Sequence, residues 1–341
     1  MSVEQGWKSC NYRRFMATSN KAQIVKDAVR RFHHLPDRTI SRYILEVYGE
    51  LFDNDLEKIR RKVRLCTGKS GDANRASISD KSLYRTEGVQ MPQTWRKTRT
   101  PYKLSAGSWL VLSDAHFPFH EPMPLEAAIS YGQAQKVDGI FINGDWQDCA
   151  ALSYWPSAKR DFNKEVGLVI DSLDWLRGKF PKQKIVYKPG NHEFRLPAYY
   201  VRLAPELIGS PLAAMETLIG FEGRGIEFLD YNQIVMAGQL PIIHGNEVRH
   251  IDRTVNPARG LFLKTKTFSA CSHCHTTSQH TSKTLMGMIL ATWSFGCLCD
   301  LSPDWNPFGN DWNWGFGLID IKDTGDFEVQ NLRVLPNGQV R

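Results

Sequence analysis

Five short apolar runs in this 341-residue chain each end in a cluster of Asp, Asn or His. Residues 110–113 lead into Asp114 and His116. Residues 140–143 lead into Gly144, Asp145 and Asp148, and 185–187 into Gly190, Asn191, His192 and Glu193. Residues 240–243 lead into His244 and Gly245, and 268–272 into His273 and His275. Stretches of helical character, 124–136 and 163–180, separate the first three runs. Strands alternating with helices predict an α/β sheet, and in open α/β sheets ligands gather beyond the carboxyl ends of the strands. The pattern therefore brings two Asp, one Asn and five His together. From residue 225 onward short strand candidates dominate, at 226–229, 233–236, 240–243, 268–272, 315–320 and 327–334, which predicts a second sheet beside the first.

Carboxylate oxygen, amide oxygen and imidazole, without thiolate, are ligands for divalent cations. In an extended segment Asp114 and His116 lie on one face, as do His273 and His275, so each pair can meet one ion. Eight such residues exceed the needs of one tetrahedral site and suit two ions with open positions, a carboxylate bridging them. Singly, each loop has an ordinary explanation. Gly190-Asn191 suits a turn, and a lone His244 suits a satisfied core histidine. Their joint occurrence, in order and each after an apolar run, is what points to a metal centre.

These five blocks resemble those of the calcineurin-like metallophosphoesterase superfamily, over residues 107–341. The resemblance extends to a branch, common in bacteria and phages, in which a helix-turn-helix-like segment precedes the phosphoesterase. It implies a layered αββα sandwich of two mixed sheets. It also implies that Asp114, His116 and His275 bind a first metal, that Asn191, His244 and His273 bind a second, and that Asp145 bridges them. His192 is then the general acid, with Asp148 orienting its ring. The activity implied is hydrolysis of a phosphate ester by in-line attack of a hydroxide held between two divalent ions, with Mn²⁺ ahead of Fe, Zn²⁺ and Ni²⁺. Two positions depart from the pattern. Ser272 stands where the last motif usually has Gly. Cys149 stands where the phosphoprotein phosphatases have a phosphate-binding Arg, and Arg195 is the substitute candidate for that contact.

The front of the chain has a different character. Residues 1–103 hold 22 Lys and Arg against 11 Asp and Glu, while 104–341 hold 21 against 25. Residues 20–69 read as three helices, with capping boxes at Asn20/Gln23 and Asn54/Glu57 and a break at Pro36. The third carries Arg60, Arg61, Lys62 and Arg64, with Lys69 just beyond. A basic third helix suits a helix-turn-helix-like unit that contacts nucleic acid, DNA ahead of RNA. A solvated charged face is the plainer reading. The predicted organisation is a helical domain over 1–70, a linker or arm over 71–105 and the phosphoesterase domain over 106–341.

Other signals carry less. Gly68-Lys69-Ser70 lacks the earlier Gly and preceding strand of a phosphate-binding loop. Cys271/Cys274 with Cys297/Cys299 has the outline of a Cys₄ zinc site. The second pair is tightly spaced, and in an extended segment Cys271 and Cys274 would point to opposite faces, so small core residues are the better expectation. Trp293, Trp305, Trp312 and Trp314, near Phe295, Phe308 and Phe316, suit packing before base stacking. Tyr154, Trp155, Lys159 and Arg160 are candidates to flank a substrate cleft. No uncharged apolar run spans a bilayer, and the first 20 residues lack a secretory apolar core, which predicts a cytoplasmic protein without a membrane partner. The reading that follows is a phosphodiesterase or nuclease. The alternatives are a phosphatase or phosphodiesterase of small nucleotides or phosphoproteins, with the front end serving only assembly, and a DNA-binding regulator with a scaffold phosphoesterase domain; a homo-oligomer is a separate expectation.

Overall fold

The computed structural model describes residues 21–78, 99–154, 161–251, 254–304 and 306–341. The chain separates into two units, 1–97 and 98–341. Asn20, Trp155, Lys159, Arg160 and Trp305 lie outside the described residues.

In the first unit, helix α1 (Lys21–Arg31) buries Ile24, Val25, Ala28 and Val29, one stripe at helical spacing. Pro36 precedes α2 (Asp37–Tyr48), where its fixed φ suits a helix start. Helix α3 (Leu56–Cys66) is capped by Asp55, whose carboxylate accepts from the Lys58 amide at 3.0 Å. The expected cap, Asn54, instead has a left-handed φ of 56° and makes the turn into the helix. Ile40, Ile44, Phe52, Ile59 and Val63 close a small core. The segment read as a linker is partly structured: 72–77 forms α4 (Asp72–Ser77).

The second unit begins with strand β1 (Tyr102–Lys103), also inside the expected linker, which pairs with a later strand of the second sheet. There follow β2 (Gly107–Leu112), α5 (Pro122–Gln135), β3 (Gly139–Asn143), α6 (Phe162–Lys179), β4 (Lys184–Lys188), α7 (Arg195–Leu203), α8 (Met215–Ile219) and β5 (Ile226–Phe228). The rest is β6 (Val235–Ala237), β7 (Leu240–Ile242), α9 (Pro257–Thr265), β8 (Ser269–Cys271), β9 (Ser278–Lys283), β10 (Ile289–Ser294), β11 (Gly315–Ile321) and β12 (Phe327–Arg333). One sheet runs β12-β11-β2-β3-β4-β5 and the other β1-β6-β7-β8-β10-β9. In the first, β2 through β5 are parallel while β11 and β12 are antiparallel.

Alternation along β2 explains the layering. Trp109 and Val111 join Phe141, Val186, Leu240, Ile242 and Phe295 in a core between the sheets. Leu110 and Leu112 join Ala128, Ile129, Leu173 and Leu176 of α5 and α6 on the opposite face. Strands covered on both faces have to read as continuous apolar runs, as 110–112 and 140–142 do. Helix α9 packs on β8, β9 and β10. The expected αββα sandwich of two mixed sheets is the architecture formed. Among the described residues, no helix is long and apolar enough to cross a membrane.

Candidate metal centre

The loops after β2, β3, β4, β7 and β8 converge. They do so through an unusual backbone, with φ of 52° at Asp114, 52° at His116, 51° at Asp145, 64° at His273 and 56° at His275. None is glycine, and left-handed conformations of such residues carry strain that persists only where the surroundings fix them. The extended-segment argument for the two Asp/His and His/His pairs is thereby corrected. Asp114 and His116 come together by left-handed turns and not by strand alternation, whereas His273 joins Asp145 and His244 and His275 joins His116, so the second pair is split between two groups. Ser272 has no positive φ, so replacing the usual Gly is tolerated there.

The Asp145 carboxylate is the centre of the cluster. Its Oδ2 lies 3.1 Å from His244 Nε2, 3.8 Å from His192 Nε2 and 4.0 Å from His116 Nε2. Its Oδ1 accepts from the His192 amide at 2.9 Å. Asp114 Oδ1 lies 3.2 Å from His275 Nε2, and the two ring nitrogens His116 Nε2 and His275 Nε2 are 3.1 Å apart. Ligand atoms cluster within 4.8 Å of one another in three sets: Asp145 with His244 and His273, His116 with Asp145 and His192, and His116 with His275 and Cys299. Asp145 belongs to two of them. Glycine makes this approach feasible, because a Cβ on Gly190 would strike Asp145 Oδ1 and one on Gly144 would lie 2.5 Å from His244 Nδ1.

The donor set fits cations. Asp114 Oδ1, Asn191 Oδ1 and His244 Nε2 are buried atoms without a hydrogen-bond partner, which is costly unless a cation or proton meets them. His244 Nδ1–H donates to the Asn143 carbonyl at 2.7 Å, so Nε2 faces Asp145 and holds either a proton or a cation there. Burial pulls this imidazole's pKa down, but Asp145 outweighs burial and raises it to about 10. Burial likewise lowers His275, while Cys297 and Asp114 raise it to about 9. Burial and the charge on His244 hold His273 at about 4.

Beside this cluster, His192 Nδ1 is 3.0 Å from the Asp148 carbonyl and 3.2 Å from its Oδ1. A carbonyl only accepts, so Nδ1 carries the proton and Nε2 faces the cluster. Asp148 serves both histidines, its Oδ2 lying 3.7 Å from His116 Nδ1. Burial raises the Asp148 pKa, but His116 and His192 hold it well below the usual carboxylate range. Arg195 is engaged locally. Its Nη1 donates to the Asp148 carbonyl at 2.9 Å and to Oδ1 at 3.1 Å, and its Nη2 is 3.2 Å from His192 Nε2.

No family model and no curated protein matches this chain. Solved structures similar to it include Vacuolar Protein Sorting 29 from Cryptosporidium parvum, at 13% identity and a TM-score of 0.31, covering 66% of this chain and 97% of that one. Yfce, a phosphoesterase from E. coli, is 12% identical with a TM-score of 0.30, covering 66% and 98%. The nuclease MPE of Pseudomonas putida is 12% identical with a TM-score of 0.29, covering 65% and 87%.

Several residues that organise the site have no role assigned from the sequence, although Glu193 stands in one of its blocks. Buried Glu193 accepts from the amides of Asp145 at 3.0 Å, Trp146 at 2.8 Å, Gln147 at 3.1 Å and Gly190 at 2.8 Å, and from the Tyr187 hydroxyl at 2.6 Å. It ties the loop after β3 to the loop after β4. Buried Lys188 pairs with Glu247 at 2.8 Å, and Glu247 accepts from the Gly245 amide at 2.7 Å. The Asn143 amide group donates to the Ile243 carbonyl at 2.8 Å and to Ser272 Oγ at 2.9 Å. The adjacency of Glu193 to the Gly-Asn-His block was the one available signal.

The remaining candidates divide. Cys271 and Cys274 share one buried cluster with Ile251 and Leu261, contrary to the opposite-face expectation, because the left-handed φ at His273 turns the chain back. No Cys₄ group forms among the described residues, and Cys299 Sγ sits 3.9 Å from His275 Nδ1 instead. Trp293, Phe295 and Phe316 are buried, and the Trp314 indole donates to the Cys299 carbonyl at 2.9 Å. Phe308 is exposed, and Trp312 lies edge-on to His275 at 4.2 Å. Of the basic residues in the first unit, Arg60 pairs with Glu57 and Lys69 with Asp37. Lys62 is half-buried, while Arg61 and Arg64 are exposed.

Proposed function

We propose that this protein is a metal-dependent phosphoesterase whose ions are held by Asp114, His116 and His275 on one side and by Asn191, His244 and His273 on the other. The observation that carries the reading is the Asp145 carboxylate, which lies in one group with His244 and His273 and in a second with His116 and His192. When bound, divalent ions supply Lewis acidity and lower the pKa of a coordinated water toward neutrality. The chain's own residues do the rest. Asp148 holds the Nδ1–H of His192, fixing the tautomer and supporting the imidazolium. Burial lowers the His192 pKa, but Asp145 and Asp148 raise it overall, which favours a protonated ring able to donate to a leaving oxygen. Arg195 pins Asp148, and its Nη2 edge is the candidate phosphate contact. Mn²⁺ is the favoured metal, the nitrogen and oxygen donors also suiting Fe, Zn²⁺ and Ni²⁺.

The preferred substrate class is a nucleic-acid phosphodiester. The support is the basic front of the chain, with Arg61 and Arg64 exposed on α3. A regulator that only binds DNA has no use for the strained, converging ligand set. The test offers Mn²⁺-loaded protein bis(p-nitrophenyl) phosphate, p-nitrophenyl phosphate, single- and double-stranded DNA, and RNA. Diester and polynucleotide cleavage is the expected result. Cleavage of the monoester alone defeats the nuclease reading, and DNA binding with no hydrolysis of any substrate defeats the enzyme.

A further inference from the structure

A cavity of about 380 Å³ lies against α7, a size within the usual range of ligand pockets. Phe194, Tyr200, Ile208, Met215, Phe228 and Tyr231 supply much of its wall. Phe194 and Tyr231 stack flat on each other, centroids 4.3 Å apart at 17°. The surface around it is unusually apolar. Phe194, Val201, Leu203, Leu207, Ile208 and Leu212 are each at least 40% exposed, and α7 buries only Leu196. Exposed apolar side chains in such density mark a binding surface more often than plain solvent-facing protein.

Two observations say what this cavity takes. The first is its place. Pro189 and Glu193 belong to its wall, so the loop that bears Asn191 and His192 also builds the cavity. A general acid donates to the leaving oxygen, so the leaving arm of a substrate lies on the side of His192. The second is its charge. The carboxylates free to face it are Glu216 and Asp230, since Glu193 is buried and tied to backbone amides, and among the described residues of the wall there is no Lys or Arg. An arm bearing further phosphates is repelled there, whereas a neutral ring gains apolar contact and an aromatic face.

We propose that this cavity is the leaving-group subsite and that it receives the neutral aromatic base of a departing nucleoside. This rests on the phosphoesterase reading, and it narrows the substrate to a phosphodiester whose leaving arm carries no further phosphate. The ester P–O bond breaks toward this arm, water supplies the oxygen that stays on phosphorus, and the arm departs as a neutral alcohol carrying the proton from His192.

The test uses the Mn²⁺-loaded full chain on bis(p-nitrophenyl) phosphate, whose leaving arm is an uncharged ring. Inorganic phosphate serves as the competitor that reads the metal centre alone. Thymidine binding is followed separately by saturation-transfer NMR, which needs no turnover. Leu207→Ala trims a half-exposed part of the wall, and Ala213→Trp fills the space. In both, KM should rise about tenfold, with kcat and the phosphate inhibition constant little changed. The thymidine signal of the wild type should vanish in Ala213→Trp. Unaltered KM and thymidine binding in both variants overturn the subsite and leave the phosphoesterase reading standing. Absence of turnover in the wild type overturns that reading, and absence of a wild-type thymidine signal then overturns the subsite as well. A dimer in light scattering that Leu212→Glu dissolves also overturns it, since a second copy of the chain then covers this face.

Discussion

The loops around Asp145 and the basic helix α3 both stand out in the sequence as concentrations of polar side chains, yet the fold treats them differently. Around Asp145 the side chains are buried, the backbone is left-handed at five ligand candidates, and several acceptors lack partners. On α3 the charges are exposed or half-buried, and Arg60 is neutralised within the helix by Glu57. Only the first arrangement costs stability unless something binds. A basic face costs nothing when idle, so its presence argues much less about function. Burial and strain, more than the density of charged residues, separate a site from a solvated surface.

The largest effect that could break this contrast is at Asp145. Asp145→Asn should abolish stoichiometric metal content, read by elemental analysis, and lower kcat/KM by on the order of 10³-fold. Full metal retention would remove Asp145 from its bridging role. His192→Ala should keep the metal and lose about 10²–10⁴-fold in turnover. Normal turnover in that variant would falsify the general-acid assignment. Glu193→Gln leaves five donors facing an amide that can accept from fewer of them. Metal affinity should fall about 10–100-fold, and the chain should melt earlier by scanning calorimetry.

A smaller effect tests a single buried carboxyl beside the site. Burial and Asp148 raise the Glu165 pKa from 4.5 to about 7. A carboxyl with a higher pKa in the folded than the unfolded chain binds more protons when folded. Its contribution to stability is therefore present at low pH and is lost as pH climbs from about 4.5 to about 7. Glu165→Gln should flatten this part of the stability curve, by on the order of 1–3 kcal/mol in urea titrations of the metal-free protein. An unchanged slope would mean that Glu165 titrates normally. The smallest effect belongs to the helix. Arg61→Ala and Arg64→Ala should each reduce the salt slope of DNA binding by about one and leave bis(p-nitrophenyl) phosphate hydrolysis unchanged. If neither alters DNA binding, α3 is a solvated face and nothing more.

Local pattern made some elements legible and left others hidden. The runs that became β2, β3 and β4 read as strands because they are buried on both faces and hence uniformly apolar. Strand β9, Ser278–Lys283, is an edge strand alternating half-buried with exposed polar residues, so it leaves no apolar trace. Its neighbour β10, Ile289–Ser294, is largely apolar, yet it too went without a strand expectation. Strand β1 is two residues long and exists through its pairing with β6. At α3 the capping position shifted by one because Asn54 was needed in the turn.

The sequence by itself determined the ligand inventory, the order in which the loops deliver it and the layered class of the fold. These follow from residue type and periodicity, which are local properties. Tertiary structure decided how the ligands converge, which residues hold the loops, and where the uncommitted apolar surface lies. The left-handed φ values, the five donors on Glu193, the capture of Arg195 by Asp148 and the cavity beside α7 depend on groups tens of residues apart in the chain. Their energies come from contacts that do not exist until both sheets are assembled, so no window of sequence carries their signature.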